Sequence, residues 1–275
     1  MKMRPSREAF SLHQQKYSKT IIYTNLLPPT KGAVLFMENR RKLADLHMLE
    51  GPHNRFTELV FGFRVLLEFL KGFRKLHFVG PCLSIFGSAR YKPGDEYYEQ
   101  AREMGGKVSE LGFTVLTGGG PGIMQAANQG AKEANGKSIG VNIELPFEQQ
   151  INPFVDVSVD IRYFFVRKVL LFKYSFGFII FPGGFGTLDE MFEALTLIQT
   201  QKMPWFPVVL IGKDYWRGLL EQVKDMEKGK TISPEDMDLF LLTDDMNEAL
   251  AYIQEKVALM PKKKQRFKRL WLLGE

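Results

Sequence analysis

From Pro81 onward the chain alternates between short apolar runs and longer segments with helical periodicity. The apolar runs predict strands at 82–87 (CLSIFG), 113–118 (FTVLTG), 138–143 (SIGVNI), 155–160 (VDVSVD), 177–182 (GFIIFP), 207–212 (PVVLIG) and, more weakly, 238–243 (DLFLLT). Helices are predicted at 95–111, 122–135, 164–174, 186–201, 214–226 and 245–258. Nearly all-apolar strands between helices are typical of a parallel sheet covered on both faces. The pattern therefore predicts an α/β domain with a doubly wound, mostly parallel sheet over residues 81–260.

Residues 1–80 follow a different pattern and carry no chemical motif. Between Leu59 and Phe73, apolar residues recur at three- and four-residue steps, which predicts an amphipathic helix. The segment 38–51 (ENRRKLADLHMLEG) is also helix-like. We expect an N-terminal helical extension that covers the main fold or an oligomer interface, and a basic C-terminal tail at 261–275.

Composition excludes several classes of protein. A chain of 275 residues that is 45% hydrophobic can bury one full-sized core. Its single cysteine, Cys82, excludes a disulfide framework and fits a reducing cytoplasm. The four histidines have no metal-ligand spacing, so we expect no metal. No apolar stretch follows the basic start, and charges interrupt the run from Leu59 to Phe73, so we expect a cytoplasmic protein with no membrane partner.

The formal net charge of +6 raises the possibility of a nucleic-acid partner. Much of the excess positive charge lies near the two ends, at 2–19 and 262–269. Basic ends are either nucleic-acid arms or solvated termini, and charge alone does not decide between them. The distribution favours solvated termini, and nucleic-acid binding stays an alternative.

Three predicted strands end in glycine-rich turns. IFGSAR places Gly87, Ser88 and Arg90 after the first strand; LTGGGPGIM places Gly118, Gly119, Gly120, Gly122 and Met124 after the second; FPGGFGT places Gly183, Gly184, Gly186 and Thr187 after the fifth. One such turn can simply satisfy tight geometry, but parallel strands bring all three to one sheet edge, where ligands bind. Glycines and helix N-termini there form an anion site, most plausibly for phosphate. Without a Walker lysine or a dinucleotide fingerprint, the pattern favours a mononucleotide.

Three charged residues lie near these turns. Arg167 and Lys168 are adjacent in an otherwise apolar helix, and Glu190 lies in the first turn after the third glycine loop. The two basic residues could extend to solvent from a buried helix, and the acid could be a surface residue that suits the helix dipole. The residues alone leave open whether these side chains take part in chemistry or only face solvent.

The motifs resemble those of the LONELY GUY family, which comprises cytokinin riboside 5′-monophosphate phosphoribohydrolases that are often labelled lysine decarboxylase-like. PGGFGTLDE matches the family pattern P-G-G-x-G-T-x-x-E at each fixed position from Pro182 to Glu190, and RK begins 23 residues before that glutamate. TGGGPGIMQAANQGA lies upstream, and the likeness extends from IFGSAR to about Ile211. The resemblance implies a Rossmann-like fold and hydrolysis of a purine nucleoside 5′-monophosphate, AMP or N6-substituted AMP, to free base and ribose 5-phosphate.

The resemblance also implies roles for single residues. Arg167 and Glu190 are the expected catalytic pair. Expected substrate-binding residues are Ser88, Arg90, Gly118, Gly119, Gly120, Met124, Lys168, Gly183, Gly184, Gly186 and Thr187. We expect no cofactor, because decarboxylation would need a pyridoxal-phosphate lysine that the sequence does not indicate. The longer bacterial branch commonly has Glu where this chain has Gln125, which bears on base recognition. A homodimer or larger homo-oligomer is expected.

A second alternative is a non-catalytic carrier of a nucleotide or of molybdenum cofactor on the same fold. Such a carrier would be expected to lack the pair formed by Arg167 and Glu190.

Overall fold

The computed structural model describes residues 51–145, 150–204 and 206–260. Its helices are α1 (Arg55–Leu76), α2 (Glu96–Glu110), α3 (Ile123–Glu133), α4 (Phe164–Tyr174), α5 (Phe185–Gln199), α6 (Lys213–Lys228) and α7 (Met246–Leu259). Its strands are β1 (Cys82–Phe86), β2 (Thr114–Thr117), β3 (Ser138–Ile143), β4 (Val157–Ile161), β5 (Ser175–Ile180), β6 (Val208–Ile211) and β7 (Leu241–Thr243). A short 3₁₀ helix, Pro234–Asp238, precedes β7.

The seven strands form one sheet in the order β4-β3-β2-β1-β5-β6-β7, and all neighbouring pairs are parallel. The chain builds outward from β1 to β4 and then returns to place β5 on the other side of β1. This reversal creates a topological switch point between β1 and β5, where open α/β sheets bind ligands. The predicted α/β, Rossmann-like parallel sheet is confirmed.

The two faces of the sheet bury different side chains. On one face, Leu83 and Ile85 of β1 join a cluster that includes residues of α2, α3 and α7. On the other face, Phe178 of β5 lies 4.7 Å from Phe172 and 4.9 Å from Phe206, measured between ring centroids. Because both faces are covered, β1, β2, β3 and β6 are buried along their full length, which explains their nearly continuous apolar sequences.

Helix α1 closes the open edge of the sheet at β4. Three polar side chains of α1 bind successive backbone groups at that edge: Glu68 accepts from the Arg162 N–H, Lys71 donates to the Asp160 carbonyl, and Lys75 donates to the Ser158 carbonyl. These contacts occupy backbone groups that another strand could otherwise pair with. The amphipathic helix predicted around 59–73 is present, and it belongs to the same compact unit as the sheet. The expected boundary at residue 80 therefore falls inside that unit.

The sequence predicted each strand and helix of the domain to within a few residues. The weak strand predicted at 238–243 is shorter than expected, because the 3₁₀ helix takes up its first residue. The helix-like segment 38–51 and the basic tail at 261–275 lie outside the described residues, apart from Gly51. Among the described residues, no helix is both long enough and apolar enough to span a membrane.

Candidate active site

A cavity of about 630 Å³ opens at the switch point between β1 and β5. The three glycine-rich turns predicted to meet there all contribute to its wall. Its lining includes Gly87, Ser88 and Arg90 after β1, Gly118 and Met124 around the start of α3, and Gly183, Gly184, Gly186, Thr187 and Glu190 around the start of α5, together with Arg167 from α4. The predicted convergence of the turns is thus a feature of the structure.

Backbone hydrogen bonds join the three turns to one another. The Ser88 N–H donates to the Pro182 carbonyl at 2.9 Å, and the Ser88 carbonyl accepts from the Ile123 N–H at 3.1 Å. Gly122 has a φ of +68°, and a Cβ there would overlap the Ser88 carbonyl oxygen. A residue with a side chain would therefore separate the first turn from the second.

The third turn presents the N-terminus of α5 to the cavity. Thr187 and Leu188 both donate their backbone N–H to the Gly184 carbonyl at 3.0 Å, so the helix begins there without a side-chain cap. The first N–H groups of a helix have no partner within the helix, and they carry the positive end of its dipole. A Cβ on Gly184 or Gly186 would meet no atom within 4 Å, so a ligand could approach this backbone closely. The turn is thus suited to an anion.

Glu190 is a buried acid on the cavity wall. Its side chain lies one turn into α5, the residue is 4% exposed, and its Oε2 has no hydrogen-bond partner. Burial raises the pKa of this carboxyl to about 7, while the positive charges of Arg167 and Lys168 act in the opposite direction. A carboxyl that titrates near neutral pH can take up or release a proton during a reaction.

Arg167 extends from α4 toward the same cavity. Its Nε donates to the Val141 carbonyl at 2.9 Å, which fixes the plane of the guanidinium. A Cβ on Gly118 would overlap Nη2 of this group and would also crowd the Met124 sulfur. Burial lowers the pKa of Arg167, and the negative charge of Glu190 opposes that effect. Arg167 and Glu190, which both line the cavity, therefore influence each other electrostatically.

Three residues expected to bind substrate do not line the cavity. The carbonyls of Gly119 and Gly120 accept hydrogen bonds from the Asn152 side chain at 3.1 and 3.0 Å, so this part of the second turn is held by the loop after β3. The Lys168 ammonium instead forms ion pairs with Asp189 and Glu193 of α5. These contacts give all three residues structural partners within the protein.

Gln125 also lies off the cavity wall. The hydroxyl of Tyr98, a buried residue of α2, donates to Gln129 Oε1 at 3.2 Å, and Gln125 acts against the effect of burial on the pKa of Tyr98. The side chain that departs from the family pattern therefore lies near Tyr98 of α2 and not on the cavity wall.

Several cavity residues were not identified from the sequence. They are Phe86, Ala89, Tyr91, Asn142, Ile143, Leu145, Phe164, Phe185 and Tyr215. The Tyr215 hydroxyl donates to the Gly183 carbonyl at 2.7 Å, so α6 supports the third turn. Asn142 could have been noticed as an amide near the end of an apolar strand, and Phe185 occupies the variable position of PGGFGT. Tyr215 gave no such signal, because its contact depends on the packing of α6.

Within the described residues, no cluster of three or more His, Cys, Asp or Glu side chains could hold a metal ion. The charged groups of the cavity are one carboxyl and two guanidinium groups, which together with the backbone N–H groups of the third turn suit an organic anion.

Comparison with known proteins places this site in context. A family model described as "Possible lysine decarboxylase" matches residues 124–253. The chain is 28% identical over 160 residues to a cytokinin riboside 5′-monophosphate phosphoribohydrolase of Mycobacterium tuberculosis, an alignment that covers 56% of this chain and 84% of that protein. It is 25% identical over 201 residues to a pyrimidine/purine nucleotide 5′-monophosphate nucleosidase of Escherichia coli, covering 68% of this chain and 42% of that one.

Two solved structures align with about two thirds of the chain. The X-ray structure of the structural genomics target TM1055 aligns with a TM-score of 0.50 at 24% identity, covering 64% of this chain and 99% of that one. A molybdenum cofactor carrier protein of Chlamydomonas rheinhardtii aligns with a TM-score of 0.48 at 26% identity, covering 65% and 98%. The family model and the curated relatives carry both labels used for the LONELY GUY family, and the resemblance of this chain to that family is confirmed.

Proposed function

We propose that the protein hydrolyses the N-glycosidic bond of a purine nucleoside 5′-monophosphate, AMP or N6-substituted cytokinin-type AMP, to free base and ribose 5-phosphate. The observation that carries the proposal is Glu190, a buried carboxyl with an unpartnered oxygen on the wall of a cavity that also contains Arg167. The names of the mycobacterial and E. coli relatives support hydrolysis of nucleoside monophosphates in general. The preference for a purine base goes beyond these names and belongs to the proposal.

The third turn is suited to the 5′-phosphate. Its helix N-terminus offers backbone N–H groups, Gly184 and Gly186 permit close approach, and Arg90 adds a positive charge to the same cavity. An anchored phosphate would bring C1′ of the ribose repeatedly to the same place beside Glu190, which lowers the entropic cost of reaction. A nucleoside without phosphate would lack that anchor.

The chemistry requires a water molecule and a group that accepts its proton. As the bond between C1′ and the base nitrogen breaks, its electron pair leaves with the base and positive charge develops on the ribose. The ionised Glu190 would stabilise that charge and accept a proton from the water whose oxygen bonds to C1′. Arg167 would stabilise negative charge on the departing base or on the phosphate. The hydroxyl remains on ribose 5-phosphate, the departing base takes up one proton from solvent, and Glu190 returns the proton it accepted to solvent.

Apolar side chains in the cavity suit the N6-substituted form. Met124, Leu145 and Phe164 line it, and Phe164 is 45% exposed. An apolar substituent on the base would cover such surface and gain hydrophobic stabilisation. On this account an N6-prenyl group strengthens binding compared with AMP.

Incubation with a panel of nucleotides tests the proposal. AMP, N6-isopentenyl-AMP, GMP, CMP, UMP and adenosine would each be supplied, and free base would be measured by chromatography. Release of base from AMP or its N6-substituted form, and not from adenosine, is the expected result. Equal kcat/KM on adenosine and AMP would sink the phosphate-anchoring argument, and preference for CMP or UMP would overturn the purine assignment.

The same panel separates the two alternatives. A non-catalytic carrier would bind a nucleotide or cofactor and release no base from any member of the panel. A nucleic-acid-binding protein would show DNA affinity that falls steeply with salt concentration, because phosphate contacts release counterions.

A further inference from the structure

The adjacent residues Arg167 and Lys168 have different partners. Arg167 reaches into the cavity, where its guanidinium lies against Gly118. Lys168 points to α5, where its Nζ lies 2.8 Å from Asp189 Oδ1 and 2.5 Å from Glu193 Oε2. The Lys168 side chain is only 18% exposed, so solvent screens these ion pairs less than it would at the surface.

The position of the two acids explains what this contact does to α5. Asp189 and Glu193 are four residues apart, so they lie on the same side of the helix. A single ammonium group between them ties the second and third turns of α5 to α4. Glu190 lies within those turns, next to Asp189 in the chain. The direction in which its carboxyl points is therefore coupled to the Lys168 contact.

The charges around Glu190 come from these two helices. Arg167 and Lys168 of α4 favour its ionised form, while Asp189 and Glu193 of α5 oppose it, in addition to the effect of burial. Lys168 thus compensates two acids that lie close to Glu190. Without it, the carboxylate would lose one positive neighbour and would face both negative ones.

We propose that Lys168 is a positioning residue, whose ammonium holds Asp189 and Glu193 so that Glu190 stays ionisable and directed into the cavity, while Arg167 contacts the substrate. The proposal deepens the proposed function and rests on it. It also differs from the expectation that Lys168 binds substrate directly.

Replacement of Lys168 by methionine tests this role, because Lys168→Met keeps an unbranched side chain of nearly the same length and removes its charge. We expect kcat for AMP at pH 7 to fall by roughly tenfold or more, as for loss of a well-oriented catalytic group. The Kd for AMP should stay within about twofold, since Lys168 does not line the cavity. The acid limb of the kcat profile should move to higher pH, because the pKa of Glu190 rises when Lys168 is lost.

Two further variants serve as controls for Lys168→Met. Lys173→Met removes a charge from the same helix, where the ammonium lies 5.2 Å from the Phe73 ring centroid, and should leave both kcat and the pH profile unchanged. Lys168→Arg keeps the positive charge and should retain most of the activity. A Kd for AMP that rises tenfold in Lys168→Met with an unchanged pH profile would instead make Lys168 a substrate ligand and overturn the proposal.

A double variant that keeps Lys168 is expected to shift the pKa of Glu190 in the opposite direction. In Asp189→Asn/Glu193→Gln the two acids that raise the pKa of Glu190 are lost, so the acid limb should move to lower pH. This variant also provides the test if Lys168→Met does not fold, as judged by circular dichroism. An acid limb that moves to higher pH, or does not move, contradicts the proposal.

Titration of Glu190 itself separates this proposal from the proposed function. Carboxyl ¹³C NMR of glutamate-labelled protein, with Glu190→Gln to assign the signal, measures its midpoint without any turnover. A higher midpoint in Lys168→Met supports the role of Lys168 even if no nucleotide is hydrolysed, which would refute only the proposed function. An unchanged midpoint overturns the role of Lys168 even if the wild-type protein is an active hydrolase.

Discussion

The hydroxyl of Tyr215 donates a hydrogen bond of 2.7 Å to the carbonyl of Gly183 and so links α6 to the third glycine turn. This turn carries the N-terminus of α5, the proposed phosphate site. Helix α6 follows β6, the strand beside β5, so the link joins two neighbouring strand–helix units. The shape of the proposed phosphate site thus depends on a residue outside the motif that forms it.

Removal of this hydroxyl should weaken nucleotide binding. A single hydrogen bond contributes about 1 kcal/mol, so we expect Tyr215→Phe to raise the Kd for AMP by roughly fivefold and to change kcat less. Isothermal titration calorimetry measures the effect, with Tyr252→Phe on α7 as the matched control. Equal Kd values for wild type and Tyr215→Phe would show that the turn keeps its shape without this contact.

The sequence was sufficient to predict the sheet and the meeting of the three glycine turns at one edge, for physical reasons. The central strands are buried on both faces and therefore read as apolar runs, and the glycine turns must follow them at one edge. The partner of Lys168 could not be predicted in this way. Adjacent residues on a helix point about 100° apart, and which of them faces the cavity depends on how α4 and α5 pack together.

The roles of Gly119 and Gly120 were beyond prediction for a similar reason. Their carbonyls are bound by Asn152, which lies far along the chain in a loop without regular structure. Asn152 is 5% exposed and also donates to the Asn128 side chain. A glycine run in a sequence shows that a backbone is approached closely, but it does not show whether ligand or protein approaches it.

Turnover should depend on pH through Glu190. Its pKa is about 7, so the carboxyl is largely protonated at pH 6 and largely ionised at pH 8. A role as base or as a charge-stabilising carboxylate requires the ionised form. We expect kcat at saturating AMP to rise with pH through this range. A kcat that falls as pH rises from 6 to 8 would assign Glu190 the role of an acid instead.

The same shift predicts that Glu190 lowers stability at high pH. Its pKa rises from 4.5 in the unfolded chain to about 7 in the folded protein, so the folded state binds more protons between these values and loses stability as pH rises through them. The destabilisation approaches about 3 kcal/mol above pH 7, at 1.36 kcal/mol per pKa unit.

Glu190→Gln should therefore be more stable than wild type at pH 8, and this advantage should shrink toward pH 4. Thermal unfolding of both proteins across this range measures it, and Glu110→Gln, at the end of α2, serves as the control. A difference in Tm between wild type and Glu190→Gln that does not vary with pH would contradict the buried, raised pKa.

We also predict a homodimer or larger symmetric assembly. Helices α4 and α5 expose apolar side chains beside the site, with Val169 46% and Phe192 37% exposed. Burial of such side chains against a second copy is favourable. Light scattering at micromolar concentration should give at least twice the mass of one chain, and Val169→Glu should reduce it. Leu259→Glu, at an exposed apolar residue of α7, is the control, and a monomeric wild-type protein would count against the prediction.

The central claim is that Glu190 acts on a bound nucleotide, and the turnover of Glu190→Gln tests it most directly. The substitution keeps the size of the side chain and removes its charge, so AMP binding should persist through the glycine turn while kcat falls by roughly 10² or more. Binding by calorimetry and base release by chromatography would be measured on the same preparation. Retained binding with lost turnover is the predicted result, and a folded Glu190→Gln protein that binds AMP and turns it over at the wild-type rate would contradict the account.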